Sequence, residues 1–148
     1  MVISKVIAEM LQDRLEDYID VSVGNAKKID PTFLVEEKLD YLIIGDVISE
    51  TIPSVEIQNW VQKYGEVSKN HNLCLKALSG FYIVLSNTKT EKAWLEFLQG
   101  NINAEIILPP VLCLKLNRAE LPLEIEALKI VKNYSKDFID LTSQKARF

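Results

Sequence analysis

Few side chains in this chain have chemical reach. Two carboxylates, Asp46 and Glu50, lie in the polar stretch Asp46-Val-Ile-Ser-Glu50, which follows the apolar run Tyr41-Leu-Ile-Ile44 and closes on Ile52-Pro53. A carboxylate pair in such a loop can do acid–base work on a substrate, or it can be a solvated acidic loop. There is one histidine, His71, and there are two cysteines, Cys74 and Cys113. That is too few for a Cys/His zinc centre unless carboxylates complete it. His71 sits in the polar run Ser68-Lys-Asn-His-Asn72 and reads as a solvated loop residue. Both cysteines read as small core or near-core residues, Cys113 lying between Leu112 and Leu114.

The elements that must position these groups follow from hydrophobic spacing. The unbroken apolar run 41–45, bounded by turn residues, predicts a central strand buried on both faces, as in parallel sheets. Ligands of such sheets sit beyond the carboxyl ends of the strands, so 45–53 is where function is expected. Ile3, Val6, Ile7, Met10, Leu11, Leu15 and Tyr18 form one stripe of an amphipathic helix over 3–18. Ile19-Asp-Val-Ser-Val23 alternates with period two and predicts a strand. Asp30-Pro31 starts a short helix to about Lys38, and Ser54 caps a helix through Trp60 and Tyr64 that Gly65 ends or interrupts. Ser79-Gly80 punctuates the chain before a second buried strand, 81–85. Thr88 or Thr90 then caps a helix carrying Trp94 and Leu98 that stops at Gly100. A third strand starts at Ile106, is bent, bulged or on an edge at Pro109-Pro110, and resumes over 111–116. The last helix covers about 120–138 with Leu128, Val131, Tyr134 and Phe138 inward, and 142–148 is a frayed tail. Alternation of this kind predicts an α/β fold: a doubly wound parallel sheet of about four strands with helices on both faces, in a single domain over 1–148.

The totals narrow the function classes. At 148 residues the chain can bury a full core without disulfides or metals. A net charge of −4 and a pI near 5.1 argue against nucleic-acid and anionic-membrane partners, which need a basic face. No apolar run approaches the ~20 residues that span a bilayer. Glu9, Asp13 and Arg14 interrupt any leader-like core, so the chain reads as cytoplasmic.

Several of these segments, in this order, resemble the flavodoxin family. Asn25-Ala-Lys-Lys-Ile-Asp30-Pro31, Leu34, Asp40-Tyr-Leu-Ile-Ile-Gly45 and Ile52-Pro53 look like the middle of a flavodoxin. Ala104-Glu-Ile-Ile-Leu-Pro109-Pro110 and Leu114-Lys-Leu116 are similar to its last strand. The likeness covers about 3 to 140 and implies FMN as cofactor. The implied flavin loops fall on Ser4, on Asp46, Ile48 and Ser49, and on Ser86, Asn87 and Thr88.

The departures shape the functional expectation. A flavodoxin opens with a strand and a Ser/Thr-Gly loop that holds the FMN phosphate at a helix start. Here that strand is absent, and only Ser4 matches the loop's hydroxyls. The second loop has no aromatic to stack on the ring, and the third, Ser86-Asn-Thr-Lys89, has neither glycine nor aromatic. The expectation is a divergent flavodoxin-like domain, first strand absent, acting as a non-catalytic binding, regulatory or scaffold module. The alternative is an FMN electron carrier whose first strand is encoded upstream of Met1. A second alternative is a degenerate response-regulator receiver, with Asp46 as phosphoacceptor and Ser86 as its hydroxyl partner, but without the acidic metal pair that phosphoryl transfer needs. The vacant first-strand slot must close by pairing 19–23 with 41–45, or be filled by 139–142 or a second chain, because buried unpaired backbone costs about 1–3 kcal/mol per group. A homodimer through the first helix and strand is therefore expected.

Trp60 and Trp94 fall at helix positions where packing is expected. Trp94→Ala should cost about 3–5 kcal/mol in urea denaturation; a loss below about 1 kcal/mol would place the ring at the surface.

Overall fold

Parallel pairing around one long strand organises the molecule. The computed structural model describes residues 3–47, 54–84, 91–106, 112–115 and 125–146. The elements run α1 (Ile3–Leu15), α2 (Pro31–Glu37), β1 (Tyr41–Val47), α3 (Val55–Asn70), β2 (Leu75–Val84), α4 (Glu91–Asn101), β3 (Ala104–Ile106), β4 (Leu112–Lys115) and α5 (Ile125–Ala146). β1 pairs with β2 from Tyr41 opposite Ala77 to Val47 opposite Ile83. Because β1 takes that edge of β2, both β3 and β4 lie along the other edge, again in parallel. The described sheet is thus three strands wide, with the third position shared by two segments. Ala104 stands opposite Leu75, 29 positions on, whereas Leu112 stands opposite Phe81, 31 positions on. The register against β2 therefore differs by two positions between β3 and β4. Pro109-Pro110, where a bend, bulge or edge is expected, lie outside the described residues.

The two faces of the sheet bury different residues. Leu42 and Ile44 of β1 and Leu78 and Tyr82 of β2 pack with Val35 of α2, Trp60, Val61 and Tyr64 of α3, and Leu98 of α4. On the opposite face Ile43, Phe81 and Ile83 meet Ile7 and Leu11 of α1 and Ala127, Val131 and Tyr134 of α5. This is the period-two division that a strand covered on both sides requires. α5 runs against the strand direction: Phe138 meets Tyr41 edge to face at 5.7 Å, while Val131 lies with Phe81 and Ile83 nearer the strand ends.

The caps are local chemistry. The Asp30 carboxylate accepts from Thr32 N at 2.9 Å with Pro31 at the helix start; the Thr32 amide is the main reason its pKa lies below the ordinary value. α3 ends in a Schellman turn: Asn72 is left-handed (φ 55), Leu73 N donates to Ser68 O, and Asn72 N donates to Lys69 O. Trp60 is buried as expected. It stacks on Tyr64 and donates from Nε1 to Ile29 O at 2.9 Å. The side chain of Trp94 lies outside the described residues.

Several sequence expectations are corrected. Residues 19–23 form no strand. Their side chains do alternate between half-buried and exposed, but between Asp20 and Gly24 no backbone–backbone hydrogen bond forms among the described residues. β1 is consequently an edge strand of the described sheet, not a central one. It also continues through Gly45 to Val47, and the missing Cβ at position 45 leaves room for the Phe81 ring. Ser79-Gly80 is not punctuation: β2 passes through both, with Ser79 buried under α5. Residues 139–142 are helical, and α5 reaches Ala146 instead of fraying from 142. The buried hydroxyls of Ser135 and Thr142 are satisfied within the helix, by Val131 O and Phe138 O, both at 2.8 Å. Leu128 and Tyr18 face outward, at 40% and 65% exposure, and Cys74 is exposed just before β2.

Gly65 does not end α3. It allows the helix to approach the end of α4 so closely that a Cβ would overlap the Asn101 carbonyl. That carbonyl is main chain and cannot rotate away. Gly65→Ala should therefore destabilise the fold by about 1–3 kcal/mol, as overpacking does. Urea denaturation should show it, and a stability equal to or above wild type would mean that α3 and α4 separate freely.

Candidate functional site

Because β1, β2 and β4 are parallel, their carboxyl ends share one edge of the sheet, the edge where doubly wound folds bind ligands. Asp46 is the next-to-last residue of β1 on that edge. Its Oδ2 accepts from Ser54 N at 2.7 Å, and Ser54 in turn caps α3 by accepting from Ile57 N at 3.4 Å. Asp46 has a further partner among its interactions. The carboxylate thus ties the exit of β1 to the entry of α3 across residues 48–53.

The sequence-predicted site residues divide sharply. Ser4 is half-buried in the first turn of α1, and Asp46 is placed as above. Ile48, Ser49, Glu50, Ser86, Asn87 and Thr88 lie outside the described residues. What is described of the flavin set is therefore one hydroxyl and one engaged carboxylate. Converging N–H donors for a phosphate dianion would have to come from other residues of the implied flavin set, which lie outside the described residues. Lys115 ends β4 on the same edge.

His71 and Cys74 make local backbone contacts. His71 is the C-cap of α3, its Nδ1 2.9 Å from Val67 O, and not a residue of a free loop. Cys74 Sγ contacts Leu75 O at 3.6 Å. The side chain of Cys113 in β4 lies outside the described residues. Among the described residues, no three of His, Cys, Asp and Glu are grouped to hold a metal ion. No described helix is long and apolar enough to cross a membrane.

One polar pair was not signalled by spacing. Tyr134 of α5 donates its hydroxyl to Ser79 Oγ at 2.7 Å, and both are buried. Tyr134 marks itself in the sequence only as an apolar-stripe residue, and Ser79 only as a turn residue. Burial raises the Tyr134 phenol well above its ordinary value near 10, with the bond to Ser79 pulling slightly the other way. Compared with known protein families, curated proteins and solved structures, the chain matches none.

The Tyr134 phenol gives stability a defined pH dependence. In the unfolded chain it ionises near pH 10, whereas in the folded chain it stays protonated. Its contribution is complete below about pH 10 and is lost as pH rises beyond it. Tyr64, raised by burial, acts in the same direction. Tyr134→Phe should cost about 1 kcal/mol at neutral pH for the lost hydrogen bond and should flatten the alkaline fall. Urea midpoints of wild type and variant across the alkaline range test both; parallel curves would show that Tyr134 ionises freely in the folded state.

Proposed function

We propose that the chain is a flavodoxin-like domain working as a non-catalytic binding or scaffold module. Two features support the fold assignment. Consecutive parallel strands pair in sequence order, and α1 and α5 cover one face while α2, α3 and α4 cover the other. The resemblance implies this arrangement for the part of a flavodoxin that follows its first strand. Fold alone does not assign activity.

The observation that carries the functional reading is the bond from Ser54 N to Asp46. The carboxylate best placed for chemistry at the ligand-binding edge is a structural latch. With Oδ2 committed to that bond, phosphoacceptor or proton-transfer chemistry would fall to Oδ1.

The test is direct. Purified protein should be colourless, and titration with FMN at micromolar concentration should leave flavin fluorescence unquenched. Yellow protein, or stoichiometric quenching, would replace this reading with that of an electron carrier. Incubation with acetyl phosphate and magnesium should leave the intact mass unchanged, and a phosphate on Asp46 would instead favour a receiver.

A further inference from the structure

The connection between α1 and α2 is fastened to the rest of the fold at few points. α1 hands it over at Ile19, whose N donates to Leu15 O, and α2 takes it up at Asp30, its N-cap. Residues 20–29 lie between. Their second half is knit to itself: Lys28 N and Ile29 N donate to Asn25 O, and Lys27 N donates to Asn25 Oδ1. Gly24 closes on the same turn, with the Ile29 side chain standing where a Cβ at 24 would be. The bonds that fasten this segment to the rest of the fold come from side chains outside it. Gln12 of α1 donates from Nε2 to Val21 O at 3.1 Å, and Trp60 of α3 donates from Nε1 to Ile29 O at 2.9 Å. Among the described residues, no other hydrogen bond or ion pair joins 20–29 to the rest of the fold. Burial adds little to them. Val21, Val23 and Ile29 are half-buried, and of this segment Ala26 alone packs against a core cluster among the described residues.

Segments with few buried apolar contacts and few bonds to their surroundings open at lower free energy than the whole fold. We propose that residues 20–29 are a strap that releases as one unit while the sheet stays folded. The contact between Gly24 and Ile29 couples the two tethered carbonyls, so that losing one tether loosens the other. The hinges are Ile19, where the bonds of α1 end, and Asp30, where those of α2 begin. Release turns the Trp60 N–H from Ile29 O to solvent or to an incoming acceptor. The strap thus governs whether the indole edge of α3 is presented, independently of any flavin chemistry at the other loops.

Trypsin tests it. Lys27 and Lys28 are exposed within the turn. A protease cuts an extended segment, at a rate that follows the open population. Full-length protein should be cut after Lys27 or Lys28 under conditions that leave the fold intact. Gln12→Ala should speed that cut about fivefold, the factor that one ordinary hydrogen bond corresponds to. Tyr134→Phe, which weakens the fold away from the strap, should leave the rate unchanged. The rate should also rise much less steeply with urea than unfolding does, since little surface is uncovered. A cut that Tyr134→Phe speeds as well, or one with the full urea dependence of unfolding, would make 20–29 part of the cooperative fold and overturn the proposal. A rate indifferent to Gln12→Ala would overturn it too, because the lysines would then be cut in place. So would the absence of any cut at these lysines before the protein unfolds.

Discussion

The pairing of β2 on both edges is what the rest of the fold depends on. Leu75, Leu78, Phe81, Tyr82 and Ile83 are all buried, and the strand is roofed by α5 on one side and by α3 and α4 on the other. With water excluded from both faces, its backbone donors and acceptors must find partners in the sheet plane, because each one left unmatched costs about 1–3 kcal/mol. β1 supplies them along one edge. Along the other edge the supply comes in two pieces, β3 near the start and β4 near the end.

The helices answer to that sheet. α5 crosses it with three kinds of contact in sequence: aliphatic at Ala127 and Val131, a hydroxyl pair at Tyr134 and Ser79, and an aromatic edge contact at Phe138 and Tyr41. The hydroxyl pair sets where along β2 the helix rests, since a shift of one residue would bury both groups unpaired. On the other face Trp60 donates to Ile29 O, and so links α3 to the connection between α1 and α2.

Much of this was legible in the residues, and what was not has physical reasons. The alternation of helices and strands from Pro31 to Ile106 and the Asp30-Pro31 and Ser54 helix starts are local signals, and each holds. Period two in 19–23 correctly marks which side chains turn inward. It carries no information about whether another backbone lies alongside, so the strand inferred from it is not there. Ser79-Gly80 has the composition of a turn, but Tyr134, 55 positions away, satisfies the hydroxyl and lets the strand continue. Gly65 reads as a helix breaker until the proximity of Asn101 is known. At the candidate site the apolar run ending near Asp46 located the carboxyl-end edge of the sheet. The hydrogen bond that occupies its carboxylate comes from a helix start eight residues on, and nothing in the spacing announces it.

Positions 45 and 81 face each other across β1 and β2 and share one volume: the ring of Phe81 fills the space that any side chain at 45 would claim. Neither position is free to vary alone. A methyl group at 45 demands a smaller residue at 81, and a smaller residue at 81 opens a void unless 45 grows. Related chains that diverge here should therefore show paired exchanges, a larger residue at the first position accompanied by a smaller one at the second. Such exchanges would keep the β1–β2 register traceable after the apolar runs around it have drifted.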